Sequence, residues 1–184
     1  MPSSIKAKAI TLVPLTVFVV VTTIFSLGYF TTSIFGIPSS FAFPLPVRLL
    51  GLLLLTLGSI FIGWLFRYRK PIDILVSTYI TLLKIGRRTR LEERSGRTEP
   101  LVITGPYRYV RHPLYSGVVV LVLGGWLLLD YTFMLFSAIF LLLWYNFVLT
   151  PFEEKELKAV FGEQYEQYIK EVPRMIPFTK RHRK

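Results

Sequence analysis

The sequence predicts an all-α, polytopic membrane bundle, and three observations carry that prediction. Of the 184 residues, 52% are hydrophobic, and the mean hydropathy of +0.51 is well above that of a soluble globular chain. The apolar residues fall into runs long enough to cross a bilayer core, which takes about 20 residues. The 22 cations, against 11 acids, lie almost entirely between those runs, where anionic headgroups are their simplest partner. The net charge of +11 therefore points to a membrane surface and away from nucleic acid. With no cysteine and two histidines, disulfides, thiolate chemistry and a histidine-rich metal site fall away, so no metal is expected.

The chain reads as one domain, 1–184, made of two spans (1–66), an interfacial helix with a basic loop (67–100), and a C-terminal half (101–178). Residues 9–35 form the first span. The run exceeds a signal-peptide core and no small-residue cleavage site follows, so a retained helix is expected, with Pro14 in its first turns. Residues 36–46, with three prolines and no charge, suit a short extracytoplasmic link. The second span, 47–66, stops at Arg67, Tyr68, Arg69 and Lys70, a cationic and aromatic interfacial belt. Gly51, Gly58, Ser59 and Gly63 place small residues along it for close helix contact.

Pro71 then breaks the pattern, and 72–85 is apolar but short for a crossing. It reads as an interfacial helix, a re-entrant piece, or a continuation of the second helix beyond a kink. A complete crossing there would strand a cation cluster outside, so the expected count is four spans, or five with 72–85 as a half-helix. Residues 84–111 hold eight of the 22 cations and read as a cytoplasmic loop on anionic lipid. The third span, 114–129, turns at Asp130-Tyr131 into a fourth at 132–150, so these two are antiparallel neighbours. Pro151 ends the fourth span or starts the next helix. Residues 152–172 read as one amphipathic cytoplasmic helix, with Leu157, Val160, Phe161, Tyr165 and Tyr168 at helical spacing. It is either a lid over a site or a helix resting at the interface. Only Arg48 of the 22 cations falls on the far side, which places both termini in the cytoplasm.

Chemistry concentrates in residues 105–117, GPYRYVRHPLYSG. Pro113 suits a first helical position and His112 the capping zone before it. The unpaired amides of that helix end attract a carboxylate or phosphate, and Arg108 and Arg111 add fixed positive charge. The hairpin of the third and fourth spans returns Glu153 and Glu154 to the same membrane face. Those acids either meet the arginines or bind a cationic or hydroxyl-bearing ligand.

GPYRYVRHPLYSG, the acidic pair and the closing FGEQYEQYIKEVPRMIPF resemble the C-terminal half of the isoprenylcysteine carboxyl methyltransferases and their prokaryotic relatives. A weaker similarity extends to the membrane phospholipid N-methyltransferases. The resemblance covers 101–178 and implies an enzyme of the cell membrane that holds S-adenosylmethionine at the cytoplasmic face. It implies that Gly105, Pro106, Tyr107, His112, Pro113, Tyr115, Gly117, Glu153 and Glu154 bind the cofactor; Arg108, Arg111 and Glu154, charged groups beside that motif, are the catalytic candidates. The implied acceptor is an amphiphile entering from the bilayer. A carboxylate such as that of a prenylated cysteine is preferred because it needs no general base; Arg67, Arg108 and Arg111 are the cations placed to hold it. Phospholipid N-methylation and thiol S-methylation remain open, as does a non-enzymatic scaffold that binds anionic lipid.

Overall fold

The computed structural model describes residues 3–87 and 100–177. The basic loop at 88–99 and the tail at 178–184 lie outside the described residues, and with them the expected lipid contacts of Arg88, Arg90, Arg94 and Arg97. Every regular element described is helical: α1 (Ser3–Ile34), α2 (Leu45–Leu65), α3 (Pro71–Arg87), a 3₁₀ turn (Gly105–Arg108), α4 (Pro113–Leu129), α5 (Thr132–Trp144), a π-helical turn (Tyr145–Leu149), α6 (Thr150–Phe161) and α7 (Glu163–Glu171). Three helices are long and apolar enough to cross a membrane, Ile5–Ile34, Leu45–Leu65 and Thr132–Phe161, and Pro113–Leu129 is a shorter apolar helix.

The long helices stand in a row, α1 on α5, α5 on α4, and α4 on α2. Consecutive α1 and α2 thus occupy its two ends. Small residues set the spacing, because apolar helices in lipid gain little from burying more apolar surface and depend on close packing. A Cβ on Gly51 would stand 2.5 Å from the Leu128 amide nitrogen, and one on Gly124 2.9 Å from that of Leu55. Gly58 faces Leu121 in the same seam, and Gly28 of α1 meets Ser137 of α5. Large side chains such as Phe18, Phe30, Leu53 and Ile60 point outward and exposed, as lipid-facing residues do.

The α4–α5 turn is locked to the charge-free link. Asp130 sits at φ +62° and its carboxylate accepts the Phe41 and Phe43 amides at 3.0 and 2.9 Å. At the other end, α1 reaches about 48 Å at 1.5 Å per residue, beyond a hydrocarbon core of about 30 Å. Its first turns are covered by α3, where Ala9 and Val13 pack with Val76 and Tyr79. The 72–85 stretch is therefore a helix in its own right, set off from α2 by residues 66–70 and docked on the N-terminal end of α1.

Two expected boundaries change. The apolar run ends near residue 150, but its helix continues: α5, the π turn and the polar α6 form one rod of 30 residues, because Pro151 occupies the first turn of α6, where its missing N–H costs nothing. The single amphipathic helix at 152–172 is instead broken at Gly162, whose φ of +50° and ψ of −127° are open to glycine but not to other residues. The chain turns there and α7 folds back towards α4.

Overfilling the α2–α4 seam tests this arrangement. Gly124→Val should destabilise the fold by about 1–3 kcal/mol, read as a lower midpoint in thermal unfolding in detergent. Gly63→Val, where nothing lies within 4 Å, should leave the midpoint unchanged.

Candidate active site

His112 caps α4 and Pro113 is its first residue. Because the α5–α6 rod runs antiparallel to α4, it returns Glu153 and Glu154 beside His112. The π turn at Tyr145–Leu149 widens the rod just before them. Tyr145 then stacks on Tyr115 at 4.5 Å, and Tyr115 on His112 at 5.6 Å, with the rings within 14° and 8° of parallel. The wide turn also leaves the Asn146 carbonyl open to Arg174 Nη1 at 3.3 Å, which reaches Asn146 Oδ1 as well at 3.2 Å.

The two acids divide their work. Glu154 is buried and holds three cations. Its Oε1 accepts from Arg111 Nη2 at 2.6 Å, Arg111 Nε at 3.1 Å and Arg174 Nε at 3.1 Å, while Oε2 accepts from Arg174 Nη2 at 2.8 Å. His112 Nε2 stands 3.4 Å from Oε1. Burial works to raise the Glu154 pKa, but the bonds from His112, Arg174 and Arg111 prevail and hold it far below the usual carboxylate range. Glu153 faces the other way. Its Oε2 lies 3.2 Å from His112 Nδ1 and accepts the Tyr115 hydroxyl at 3.1 Å.

His112 therefore turns both ring nitrogens to carboxylate oxygens, which only accept, so the imidazolium is the form that satisfies both contacts. Burial pushes its pKa down, yet Glu153 and Glu154 outweigh that and raise it above 6.5. A histidine held this way has no lone pair to offer as a general base.

The segment after α7 straps this arrangement together. The Arg111 amide donates to the Pro173 carbonyl at 2.9 Å and the His112 amide to that of Arg174 at 3.0 Å. Ser116 Oγ donates to the Met175 carbonyl at 2.7 Å. Arg111 Nη1 donates to the carbonyls of Ile169 and Val172 at 3.0 and 2.6 Å. Tyr168 donates its hydroxyl to the Tyr107 carbonyl at 2.6 Å, tying α7 to the 3₁₀ turn.

Beside the strap lies a cavity of about 140 Å³. Tyr107, Arg111, His112, Pro113, Tyr115 and Glu153 all contribute to its wall, and Arg69 and Thr78 enter from the α2–α3 side. Leu149, Leu157 and Phe161 of the rod, with Ile74 of α3, make the rest of that wall largely apolar.

Six predicted site residues are not in the wall. Glu154 lies behind it, saturated by its cations. Gly105, at φ +61°, exists for a close approach, since a Cβ there would meet the Tyr68 ring at 2.5 Å. Gly117 faces Ile62 of α2, 2.8 Å from the position of a Cβ, so its smallness serves helix packing. Pro106 is buried in the turn and Arg108 is exposed on it, as is Arg67 after α2.

Arg69, Asn146 and Arg174 went unassigned by sequence reasoning. Asn146 had a signal, being the one amide in the fourth apolar run, where an uncompensated polar group is costly. Arg174 had one too, since it lies in the closing FGEQYEQYIKEVPRMIPF segment, but no role was attached to it there. Arg69 was hidden among the interfacial cations around it.

Fold and site together describe a helical protein with three helices of membrane-spanning length and a charged, tyrosine-lined cavity beside the start of α4. The chain belongs to the phospholipid methyltransferase family, whose model matches residues 47–164. It is similar to the methanethiol S-methyltransferase of Crocosphaera subtropica, 39% identical over 74 residues, which cover 39% of this chain and 27% of that protein. It is also similar to the protein-S-isoprenylcysteine O-methyltransferase of Schizosaccharomyces pombe, 46% identical over 81 residues, or 42% of this chain and 33% of that one. The protein-S-isoprenylcysteine O-methyltransferase B of Arabidopsis thaliana is 35% identical over 82 residues, 43% of this chain and 40% of the relative. The chain thus spans between about a quarter and two fifths of the length of these relatives. No solved structure matches.

The split between the acids is testable. Glu154→Gln should cost about 3–5 kcal/mol, since it leaves buried Arg111 without its counter-charge; Glu153→Gln should cost much less in thermal unfolding. Stability should also depend on pH from both sides. The Glu154 contribution is present above the unfolded carboxylate pKa of about 4.3 and is lost as pH falls towards its depressed folded value. The His112 contribution is complete below its unfolded value of 6.5 and is lost as pH rises through its raised folded value. The melting temperature should therefore peak between these limits, and His112→Gln should remove the alkaline decline while leaving the acid one.

Proposed function

We propose that this chain is an integral membrane methyltransferase that uses S-adenosylmethionine to methylate the carboxylate of an amphiphile such as a prenylated cysteine. In this reading it sits in the cell membrane with four spans, α4 being the shortest, and with both termini in the cytoplasm. One observation carries the proposal: Glu153, His112 and Tyr115 converge at the N-terminus of a 17-residue helix, inside a cavity whose other wall is largely apolar apart from Arg69 and Thr78.

The residues fit the donor. With the His112 amide taken by the strap and the Ser116 amide by the His112 carbonyl, the Leu114 and Tyr115 amides of the first turn of α4 suit its carboxylate, Glu153 suits its ammonium or ribose hydroxyls, and the faces of Tyr107 and Tyr115 suit its adenine or sulfonium. S-adenosylmethionine supplies an activated methyl, and a carboxylate accepts it without proton transfer. The protein's task is then to hold two partners in line and to exclude water. His112 contributes as a fixed cation that orients Glu153, and Glu154 as the anchor behind it. Arg111 spends its donors on Glu154 and carbonyls, and neither Arg108 nor Arg67 lines the cavity. Arg69 takes the acceptor carboxylate, held by a bond from Nη2 to Ser77 Oγ at 2.8 Å. The acceptor tail lies along Ile74, Leu149 and Phe161.

The curated relatives include both O-methyltransferases and thiol S-methyltransferases by name. Thiol or amine methylation would need a base to remove a proton, and His112, placed between two carboxylates, argues against it. Titration calorimetry of the detergent-solubilised protein with S-adenosylmethionine should give saturable binding that Glu153→Ala weakens at least tenfold; no binding by the wild type sinks the proposal. Incubation with labelled donor should then label prenylcysteine analogues in preference to ethanolamine lipids or small thiols. Arg69→Gln should raise KM for the acid acceptor roughly tenfold or more, the equivalent of one charge-assisted bond, and leave donor affinity within about twofold.

A further inference from the structure

Three buried polar side-chain atoms have no hydrogen-bond partner among the described residues: Trp126 Nε1, Thr132 Oγ1 and the Tyr165 hydroxyl. The first two lie near the α4–α5 turn, at the end of the bundle remote from the cavity. Tyr165 differs because its ring is part of the cavity wall. The side chain is 1% exposed, so bulk water does not satisfy the hydroxyl. A buried hydroxyl left unpaired costs about 1–3 kcal/mol, and phenylalanine would fill the same place in the Tyr165, Tyr168 and Val172 cluster without that cost. Tyr168, one turn away on the same helix, shows the ordinary solution in its bond to the Tyr107 carbonyl.

We infer that Tyr165 is a ligand-contacting residue, its hydroxyl kept without a protein partner so that a polar atom of the bound methyl donor completes it. This rests on the donor reading above and adds to it a contact from α7 to those of His112 and Glu153. Burial raises the phenol's pKa well above its usual value, so the group stays neutral. It can donate to a hydroxyl or carboxylate of the ligand, or accept from its ammonium. α7 is thereby part of the binding wall.

The test is Tyr165→Phe, with Tyr168→Phe as the contrast, by thermal unfolding without ligand and by calorimetry with S-adenosylmethionine and S-adenosylhomocysteine. Tyr165→Phe should melt at the same temperature as wild type or higher when empty, because an unpaired hydroxyl is removed, yet bind both ligands roughly three- to tenfold more weakly. Tyr168→Phe should melt lower when empty, because its bond to Tyr107 is lost. Equal ligand affinity of Tyr165→Phe and wild type overturns the inference, as does a lower melting temperature of the empty variant, which would reveal a protein partner. Failure of the wild type to bind either ligand removes the donor reading itself, and this assignment with it.

Discussion

Glu154 is the group on which the rest of the site depends. Three cations from two different parts of the chain meet at one buried carboxylate: Arg111 and His112 from the entry to α4, and Arg174 from the strap after α7. Each of them carries a further duty. Arg111 binds the carbonyls that end α7, Arg174 binds Asn146 in the π turn, and His112 holds Glu153. A buried charge is tolerable only when paired and fully hydrogen-bonded, and here the pairing itself positions four segments.

The pair of acids therefore acts as two unlike parts. Glu154 is neutralised and turned away from the cavity, while Glu153, its neighbour on the same helix, lines it. The offset of about 100° between consecutive helical residues makes this division possible. His112, with one ring nitrogen on each, links the order of the inner carboxylate to that of the outer one.

The row of helices gives this site its place. Because α4 sits between α2 and α5, its N-terminus is flanked on one side by the cations that end α2 and on the other by the acids that begin α6. The glycine seam lets α2 approach closely enough for Arg69 to reach the same cavity as His112. α3, docked on the protruding end of α1, covers that cavity with Ile74 and Thr78. Thr81 of α3 also donates to fully buried Glu156 of α6 at 2.8 Å, fixing this cover to the rod.

Much of this was legible in the residues alone. Run lengths and charge placement determined an all-helical chain with its long apolar helices, since lipid leaves the backbone few other options. The motif at 105–117 and the acidic pair marked where the chemistry lies, and the short Asp130-Tyr131 turn required their meeting. What the sequence could not determine was which of two adjacent acids faces a ligand, that Gly105 and Gly117 serve close packing, or that Arg174 belongs to the site. These follow from helix rotation and from contacts between residues far apart in the chain. The π turn decided the facing of the acids and the break at Gly162 the placing of Arg174, because each resets the direction of every side chain that follows, while contacts with Tyr68 and Ile62 decided the two glycines.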